Sequence, residues 1–458
     1  MTPAGRAPAA GPATGRIPPL VEQFKGGLAA PICLTWEWTY ACNLSCVHCL
    51  SSSGRRDPLE LSTAEIMAVV DELAAMQVFY VNVGGGEPTV RPDFWELLDY
   101  TVAHRVGVKF STNGLRIDRP GARRLAGMGY VDVQISLDGA NQEVNDAIRG
   151  PGSFDMALRA MHNLAEAGFG EFKISVVLTR HNVSQLDDFA ALADRLGAIL
   201  RITRLRPSGR GADVWDRLHP TAEQQREVYS WLLERGERVL TGDSFFHLNA
   251  LGSTPLPGLN LCGAGRVVCL IDPVGDVYAC PFAIHEAFLA GNVRSPGGFG
   301  GVWRDSPLFT RLRMPAAGGA CNSCPAFGAC QGGCMAAKFF TGLPLDGPDP
   351  ECVRGHGLAS RPPAGRPKPP RPGKDHSHRG RPVALGMPSR RGPSPTGSAR
   401  VTVIGPPPVG LSHKAWPGSA GRRAAWSSGR MRPTSAGCGG SRSGTPLTTH
   451  AGRGAARA

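Results

Sequence analysis

Short β-rich runs alternate with amphipathic helical stretches between residues 31 and 240, at intervals of about 30 residues. Consecutive parallel strands cannot be joined by a tight turn, so a chain that alternates in this way builds a parallel sheet with crossover helices. We therefore predict an α/β fold, and periodicity alone leaves an open doubly wound sheet and a partial barrel as alternatives. The predicted strands cover residues 33–38, 78–83, 107–112, 131–137, 172–178 and 199–205.

A capping box marks the start of the clearest predicted helix, because Ser62 is followed three residues later by Glu65. Apolar residues then recur at helical spacing and define one face that can pack on the sheet. This face consists of Ile66, Val69, Val70 and Leu73. Further helices are predicted at about residues 92–105, 154–167, 184–197 and 221–238.

Polar or glycine-rich motifs follow the first four predicted strands. CNLSCVHC (42–49) follows the first strand, GGGEP (84–88) the second, STNG (111–114) the third and SLDG (136–139) the fourth. The carboxyl ends of parallel strands lie at one edge of the sheet, where α/β enzymes build their sites. We therefore expect the four motifs to form one substrate site.

The chain divides into four regions by composition. We assign residues 1–30 to a flexible N-terminal extension and residues 31–245 to the α/β domain. Residues 252–356 are loop-rich, with eight cysteines, and a region so poor in aliphatic runs needs metal sites to fold. Residues 357–458 form a C-terminal tail.

The tail carries 18 Lys and Arg residues and one acidic residue, Asp375, whereas the whole chain has a formal net charge of +13. The rest of the chain is therefore slightly acidic, which argues against a protein that binds nucleic acid. Because the tail is rich in Pro, Gly and Arg and lacks periodicity, we expect it to be disordered. A frameshift near residue 355 is the alternative explanation of this composition.

Thirteen cysteines occur in a chain with no apolar stretch of about 18 residues and no signal-peptide pattern near its first residue. These features predict a cytoplasmic protein that does not associate with a membrane. Thiols stay reduced in the cytoplasm, so we expect the cysteines to bind metal or take part in catalysis rather than to form disulfides.

The first cysteine group consists of Cys42, Cys46 and Cys49. A structural zinc site needs a fourth protein ligand, and the only nearby one, His48, is adjacent to Cys49 and competes with it for the same geometry. A [4Fe–4S] cluster held by three cysteines instead leaves one iron open for a small molecule. Together with the motifs at the following strand ends, this spacing resembles the radical S-adenosylmethionine (SAM) superfamily, which implies a partial (βα)6 barrel.

The resemblance implies that SAM binds the open iron and is cleaved to a 5′-deoxyadenosyl radical, with Cys42, Cys46 and Cys49 as the catalytic cluster ligands. The glycine-rich motif matches the strand edge that holds the methionyl amino group, where bare backbone allows close approach. Arg149 is the implied partner of the SAM carboxylate, and capping of helices or turns is the alternative role of Ser136, Asp138 and Arg149. The implied cofactor-binding residues are His48, Gly84, Gly85, Gly86, Glu87, Ser111, Asn113, Ser136, Asp138, Arg149 and Val177.

The second, larger cysteine group resembles the SPASM extension of peptide-modifying radical SAM enzymes, which holds two auxiliary [4Fe–4S] clusters. Some relatives supply a further cysteine upstream, but position 256 is Leu in this chain. The cluster expected at Cys262, Cys280 and Cys334 therefore has only three cysteine ligands. Its fourth position is expected to be an open iron, a non-cysteine ligand or Cys269, and zinc remains the alternative at both sites. The resemblance assigns Cys321, Cys324, Cys330 and Cys352 to one cluster and Cys262, Cys280 and Cys334 to the other.

Residues 31–356 resemble the radical maturases of mycofactocin biosynthesis in the segments around CNLSCVHC and GGGEP. This implies oxidative decarboxylation of the C-terminal Tyr of a ribosomal precursor peptide, followed by a carbon–carbon cross-link between valine and tyramine. The implied partners are a precursor ending in Val-Tyr, a small peptide-binding chaperone and an electron donor such as a flavodoxin or ferredoxin. The alternatives are a thioether-forming or sulfatase-maturing SPASM enzyme and a non-catalytic iron–sulfur electron carrier.

Overall fold

The structure is a computed structural model that describes residues 28–242, 245–258, 261–314 and 317–359. The predicted N-terminal extension and C-terminal tail lie outside these residues, apart from 28–30 and 357–359, and both stay predictions. The strands are β1 (Cys33–Thr39), β2 (Tyr80–Gly85), β3 (Gly107–Thr112), β4 (Val131–Ser136), β5 (Lys173–Leu178), β6 (Ile199–Arg204), β7 (Val239–Leu240), β8 (Val268–Ile271), β9 (Asp276–Tyr278) and β10 (Leu289–Asn292).

The strands form one sheet in the order β10-β9-β8-β1-β2-β3-β4-β5-β6-β7. Pairing is parallel from β8 to β7, and it is antiparallel between β8 and β9 and between β9 and β10. Strands β1 to β6 correspond to the six predicted strands, with helical crossovers between them. The predicted partial barrel is therefore confirmed.

Helices cover the outer face of the sheet, and the capping box is present at Ser62, whose side chain accepts a hydrogen bond from the Glu65 N–H. The predicted apolar face of this first helix is buried, as expected. The α-helices are α1 (Thr63–Ala75), α2 (Phe94–Ala103), α3 (Arg119–Ala126), α4 (Gln142–Arg149), α5 (Ser153–Glu166), α6 (Leu186–Leu196), α7 (Gly211–Leu218), α8 (Ala222–Arg235), α9 (Gly298–Asp305), α10 (Pro307–Leu312), α11 (Phe327–Cys330), α12 (Met335–Phe340) and α13 (His356–Ala359).

Strand β1 shows how the sequence gives the sheet two different faces. Trp36 and Trp38 are fully buried on the outer side, where the Trp38 ring lies 6.0 Å from the ring of Phe94 on α2. The alternate residues Thr35 and Glu37 line a cavity on the inner side. Because successive side chains in a strand point to opposite faces, aromatic residues fill the core while polar residues face the interior of the barrel.

The cysteine-rich segment joins this sheet, which the sequence did not indicate. Strand β8 pairs with β1 so that Cys33 lies opposite Val268 and Trp36 lies opposite Ile271. Strands β8, β9 and β10 have only three or four residues each, too few to show a period in the sequence. In the described part of the chain, no helix is both long and apolar enough to cross a bilayer.

Candidate active site

A cavity of about 390 Å³ lies at the carboxyl ends of the barrel strands. It is lined by predicted site residues from β1 to β5 and their loops and, on another side, by three cysteines of the cysteine-rich segment. Two sets of three cysteines, which the sequence assigned to separate clusters, therefore face the same cavity. The predicted site residues that line the cavity are Cys42, Cys46, His48, Cys49, Gly84, Gly85, Gly86, Glu87, Ser111, Asn113, Ser136, Arg149, Val177, Cys262, Cys280 and Cys334.

The loop that carries Cys42, Cys46 and Cys49 is fixed by hydrogen bonds to its backbone. The Cys42 N–H donates to the Gly54 carbonyl at 2.9 Å, and Arg210 Nε donates to the Cys46 carbonyl at 2.8 Å. Burial raises the pKa of Cys42 to about 11 and also raises the pKa of Cys46. The thiols of Cys42 and Cys46 are therefore protonated at neutral pH, and binding of a metal cluster must release their protons.

The segment RLRPSGRG (204–211) supports the cysteine loop, a role that sequence reasoning missed. Gly209 has φ of +55°, and a Cβ at this position would lie 2.2 Å from the Leu50 carbonyl oxygen. The Arg210 N–H donates to the Cys49 carbonyl at 2.9 Å. The glycine thus allows the segment to touch the cysteine loop closely enough for Arg210 to bond to it.

The glycines of the GGGEP motif serve two purposes. A Cβ on Gly86 would lie 2.0 Å from the Ala41 carbonyl oxygen, and a Cβ on Gly85, which has φ of +114°, would lie 2.5 Å from the Thr39 carbonyl oxygen. These two glycines let the motif pack against the backbone that leads into the cysteine loop. A Cβ on Gly84 would meet no atom within 4 Å, so the space beside it belongs to the cavity. Gly84 therefore fits the predicted role of allowing a ligand to approach.

Glu87 joins the ends of β2 and β3. Its Oε2 accepts a hydrogen bond from the Asn113 N–H at 2.7 Å, and its Oε1 accepts from the hydroxyls of Thr112 at 2.7 Å and Thr89 at 2.6 Å. Burial raises the pKa of Glu87, although these hydrogen bonds oppose the shift. Because both carboxylate oxygens are used within the protein, Glu87 positions two loops of the cavity wall.

Asp138 lies behind the cavity wall and is fully buried. Its Oδ2 lies 2.7 Å from Arg149 Nε and 2.9 Å from His48 Nε2, and its Oδ1 accepts a hydrogen bond from the Val177 N–H at 2.7 Å. Burial raises the pKa of Asp138, but the charge of Arg149 and the contact with His48 outweigh it and lower this pKa to about 2. Asp138 was predicted to contact the cofactor, but it does not line the cavity. It instead orients Arg149 and His48, which do.

The remaining predicted cofactor contacts lie at the ends of β3 and β4. Asn113 uses its side chain within the protein, because its Nδ2 donates to Asn43 Oδ1 at 2.8 Å. The Ser111 hydroxyl accepts a hydrogen bond from Gln134 at 3.2 Å, and Ser136 also lines the cavity. The two serines thus place hydroxyl groups where a bound ligand could reach them.

The thiols of Cys262, Cys280 and Cys334 lie on the side of the cavity formed by the cysteine-rich segment. Burial raises the pKa of Cys280 well above its usual range. Cys269, one of the candidates for a fourth ligand, is fully buried in the hydrophobic core on β8 and does not line the cavity. This arrangement favours an open or non-cysteine fourth position.

The other predicted auxiliary group surrounds a second cavity of about 20 Å³. Burial raises the pKa of one of its thiols, Cys321, to about 11. The structure brings together the four cysteines predicted for this group, which are Cys321, Cys324, Cys330 and Cys352.

The twelve cysteines of the described residues are all free thiols, and no three His, Cys, Asp or Glu side chains there are arranged to hold a single metal ion.

A buried ion-pair network connects the two auxiliary thiol groups to the barrel. Arg204, at the end of β6, donates to Asp349 Oδ2 at 2.9 Å and also pairs with Glu351, the residue before Cys352. The same Asp349 oxygen accepts a hydrogen bond of 2.7 Å from the Cys334 N–H. Burial raises the pKa of Asp349, but Arg204 outweighs it and holds the pKa well below its usual range. One arginine of the barrel thereby positions the backbone of both groups.

Glu37 is a further cavity residue that sequence reasoning did not select. It lies in the middle of β1, and its buried Oε2 has no hydrogen-bond partner among the described residues. Burial raises the pKa of Glu37 to about 7, and a hydrogen bond from Ser51 opposes this rise. The sequence could have pointed to Glu37, because it is an acidic residue within a predicted strand whose other residues are apolar, aromatic or hydroxyl-bearing.

Comparison with known proteins agrees with this geometry. The Radical SAM superfamily matches residues 36–193, and an iron–sulfur cluster-binding domain, SPASM, matches residues 262–325. The chain is 71% identical over 365 residues to mycofactocin maturase MftC of Mycobacterium ulcerans, which covers 80% of this chain and 98% of that protein. The chain belongs to the mycofactocin maturase family. MftC of Mycolicibacterium smegmatis is also 71% identical, over 81% of this chain and 94% of its own length.

More distant relatives share the architecture. The AdoMet-dependent heme synthase of Methanosarcina barkeri is 30% identical over 71% of this chain and 97% of its own length. SuiB of Streptococcus suis, solved with S-adenosylmethionine, superposes with a TM-score of 0.57 at 19% identity, over 72% of this chain and 79% of that chain. The enzyme anSMEcpe, solved with AdoMet, gives a TM-score of 0.56 at 18% identity, over 72% of this chain and 96% of that chain.

Membership of the mycofactocin maturase family confirms the prediction of a radical SAM enzyme with a SPASM domain. Such an enzyme uses SAM and iron–sulfur clusters, and the residues present fit these groups. Three thiols lie on the cavity at Cys42, Cys46 and Cys49, open space lies beside Gly84, and the buried His48 Nδ1 has no hydrogen-bond partner among the described residues. The same cavity therefore offers a cluster site and room for a polar cofactor next to it.

Proposed function

We propose that this maturase oxidatively decarboxylates the C-terminal Tyr of a ribosomal precursor peptide and then joins the valine before it to the tyramine unit through a carbon–carbon bond. The observation that supports the proposal is the shared cavity. Cys42, Cys46 and Cys49 face it from one side, and Cys262, Cys280 and Cys334 face it from another. An oxidative decarboxylation requires both a hydrogen-atom acceptor and an electron acceptor, and a peptide end in this cavity would lie between two candidate metal sites.

In this proposal Cys42, Cys46 and Cys49 hold a [4Fe–4S] cluster, and SAM lies beside Gly84 and the hydroxyls of Ser111 and Ser136. Arg149, oriented by Asp138, takes the SAM carboxylate through its planar guanidinium. When bound, these groups would supply a 5′-deoxyadenosyl radical as the acceptor of a hydrogen atom from the Tyr β-carbon, and a cluster held by Cys262, Cys280 and Cys334 would supply the acceptor of the remaining electron. The peptide loses carbon dioxide and two hydrogens overall, one as an atom and one as the carboxyl proton.

We further propose two auxiliary [4Fe–4S] clusters, one at Cys262, Cys280 and Cys334 and one at the four cysteines around the second cavity. Burial raises the pKa of Cys280 in the first group and of Cys321 in the second, which suits clusters that are assembled with release of protons. The proposed partners are a small chaperone that presents the peptide and a flavodoxin or ferredoxin that donates electrons. We place the reaction in the cytoplasm, where thiols remain reduced.

The test is anaerobic reconstitution of the full chain with iron and sulfide, followed by addition of SAM, a reductant, the chaperone and a precursor ending in Val-Tyr. Mass spectrometry of the peptide and of 5′-deoxyadenosine then separates the alternatives. A peptide lighter by carbon dioxide and two hydrogens, formed together with 5′-deoxyadenosine, supports the proposal. Formation of 5′-deoxyadenosine with an unchanged peptide points to another SPASM substrate, such as that of a thioether-forming or sulfatase-maturing enzyme. If the iron-loaded protein forms neither product, the result favours the alternative of a non-catalytic electron carrier.

A further inference from the structure

Arg206 lies in the segment after β6 and faces the cavity on the side of the auxiliary thiols. It is 6% exposed, and its guanidinium carbon lies 4.4 Å from the centroid of the Phe282 ring. Both Arg206 and Phe282 line the cavity, and Phe282 is two residues beyond Cys280. The flat guanidinium is therefore held against an aromatic face, a contact that fixes its orientation and leaves the N–H groups along its edge able to donate hydrogen bonds.

The hydrogen-bonding capacity of Arg206 is largely unused by the protein. Its Nη1 donates to the Arg204 carbonyl at 2.6 Å, and its buried Nε has no hydrogen-bond partner among the described residues. Within that part of the chain no carboxylate lies at ion-pair distance from Arg206, and Glu351, on which the charge of Arg206 acts from farther away, is paired with Arg204. A buried cation without a counter-ion is costly, so this site calls for an anionic ligand.

The other arginines on the cavity have different partners. Arg149 is paired with Asp138, and Arg210 donates to backbone carbonyls of the cysteine loop. Arg201, lower on β6, donates to the Ser175 hydroxyl at 3.2 Å. Arg206 is thus the cation that is placed to bind an anion on the auxiliary side of the cavity, away from the Arg149 proposed for SAM.

We propose that Arg206 binds the C-terminal carboxylate of the substrate peptide. A guanidinium presents parallel N–H groups that match the two oxygens of a carboxylate, and a free peptide C-terminus is the anion that the proposed substrate brings. The inference rests on the proposed function and adds a substrate contact to it. Arg206 would place the carboxylate that leaves as carbon dioxide between the two sets of cluster cysteines, and it would select a free C-terminus over an extended or amidated one.

The test measures binding of two peptides to the reconstituted holoenzyme with the chaperone at a constant, saturating concentration. One peptide ends in Val-Tyr with a free carboxylate, and the other carries a C-terminal amide. The variants are Arg206→Gln, Arg206→Lys and, as a matched control, Arg195→Gln, which removes an exposed arginine of α6. We expect the wild-type enzyme and the control to bind the free acid about tenfold or more tightly than the amide. Arg206→Gln should bind both peptides alike, and Arg206→Lys should lie between, because lysine keeps the charge and loses the planar fork.

The ratio of the two affinities within each variant separates the outcomes, because a general loss of folding would weaken both peptides together. Equal binding of acid and amide by the wild-type enzyme overturns the inference, and so does an Arg206→Gln variant that still prefers the acid. Carboxylate-dependent binding that disappears in Arg206→Gln, without any release of carbon dioxide by the wild-type enzyme, supports the inference while rejecting the proposed reaction. If neither peptide binds, both the substrate assignment and the inference are wrong.

Discussion

Arg210 donates a hydrogen bond of 2.8 Å to the carbonyl of Cys46, a residue 164 positions earlier in the chain. Arg210→Gln should therefore loosen the cysteine loop, since hydrogen bonds made by a charged group contribute about 1.5–3 kcal/mol. We expect the variant to retain fewer iron atoms after gel filtration, by up to about four per chain, the content of one cluster. Arg217→Gln, which changes an exposed arginine on helix α7, the helix that directly follows Arg210, is the matched control. Equal iron content in both variants would contradict the assigned role.

Substitution of Gly84 and Gly86 by alanine should give different results, although they belong to one motif. The added methyl at position 86 would lie 2.0 Å from a backbone carbonyl oxygen. Gly86→Ala should therefore fold poorly or lose about 2 kcal/mol or more of its free energy of unfolding. The added methyl at position 84 meets only the cavity, so Gly84→Ala should keep the melting temperature and bind SAM more weakly. Thermal unfolding and SAM titration of the two proteins measure these effects. A Gly84→Ala protein with unchanged SAM affinity would place the cofactor elsewhere.

Asp138→Asn should impair SAM cleavage without removing any group from the cavity surface. The substitution leaves Arg149 and His48 without their shared counter-charge, and loss of one partner from a buried ion pair typically costs about 3–5 kcal/mol. We expect the KM for SAM to rise and formation of 5′-deoxyadenosine to fall by about tenfold or more. Asp132→Asn, on strand β4 just before Asp138, removes the half-buried partner of Lys173 and serves as the control. A pair of variants with the same KM for SAM would rule out the positioning role.

The carboxyl of Glu37 should make stability depend on pH. Its pKa is raised by burial from 4.5 to about 7, so between these values the folded chain holds a proton that the unfolded chain has lost. Rising pH through this window therefore destabilises the fold by about 3 kcal/mol, and the loss is complete above pH 7. Relative to wild type, Glu37→Gln should gain this stability between pH 4.5 and pH 7, as followed by urea midpoints. Glu143→Gln, at an exposed site on α4, should show no such gain. A constant difference between wild type and Glu37→Gln at pH 5 and pH 8 would refute the shift.

The sequence predicted those parts of the fold and site that depend on local pattern. The six barrel strands followed from β/α alternation, and the first helix followed from the capping box at Ser62 and the spacing of its apolar face. The first cysteine group was indicated by its spacing, since three thiols lie within eight residues, whereas the division of the later cysteines between two clusters came from the resemblance to the SPASM extension. These are properties of segments of about ten to twenty residues, which a single sequence displays directly.

The parts that could not be predicted depend on contacts between distant segments. Nothing local indicates that Arg210 bonds to the cysteine loop, that Arg204 pairs with Asp349, or that Asp138 is buried behind the cavity wall. The glycine motif shows the same limit. Its three glycines look equivalent in sequence, and only the position of the Ala41 carbonyl distinguishes Gly86 from Gly84.

The pairing of β8 with β1 makes the SPASM segment a structural completion of the barrel. Without residues 268–271, strand β1 would present a row of unsatisfied N–H and C=O groups along the edge that leads into Cys42. Such an edge invites pairing with another chain, so a barrel shortened before β8 would be prone to aggregate whatever the state of its first cluster. The two halves of this enzyme are therefore one folding unit, and the alignment of β8 on β1 sets how far apart their metal sites can be.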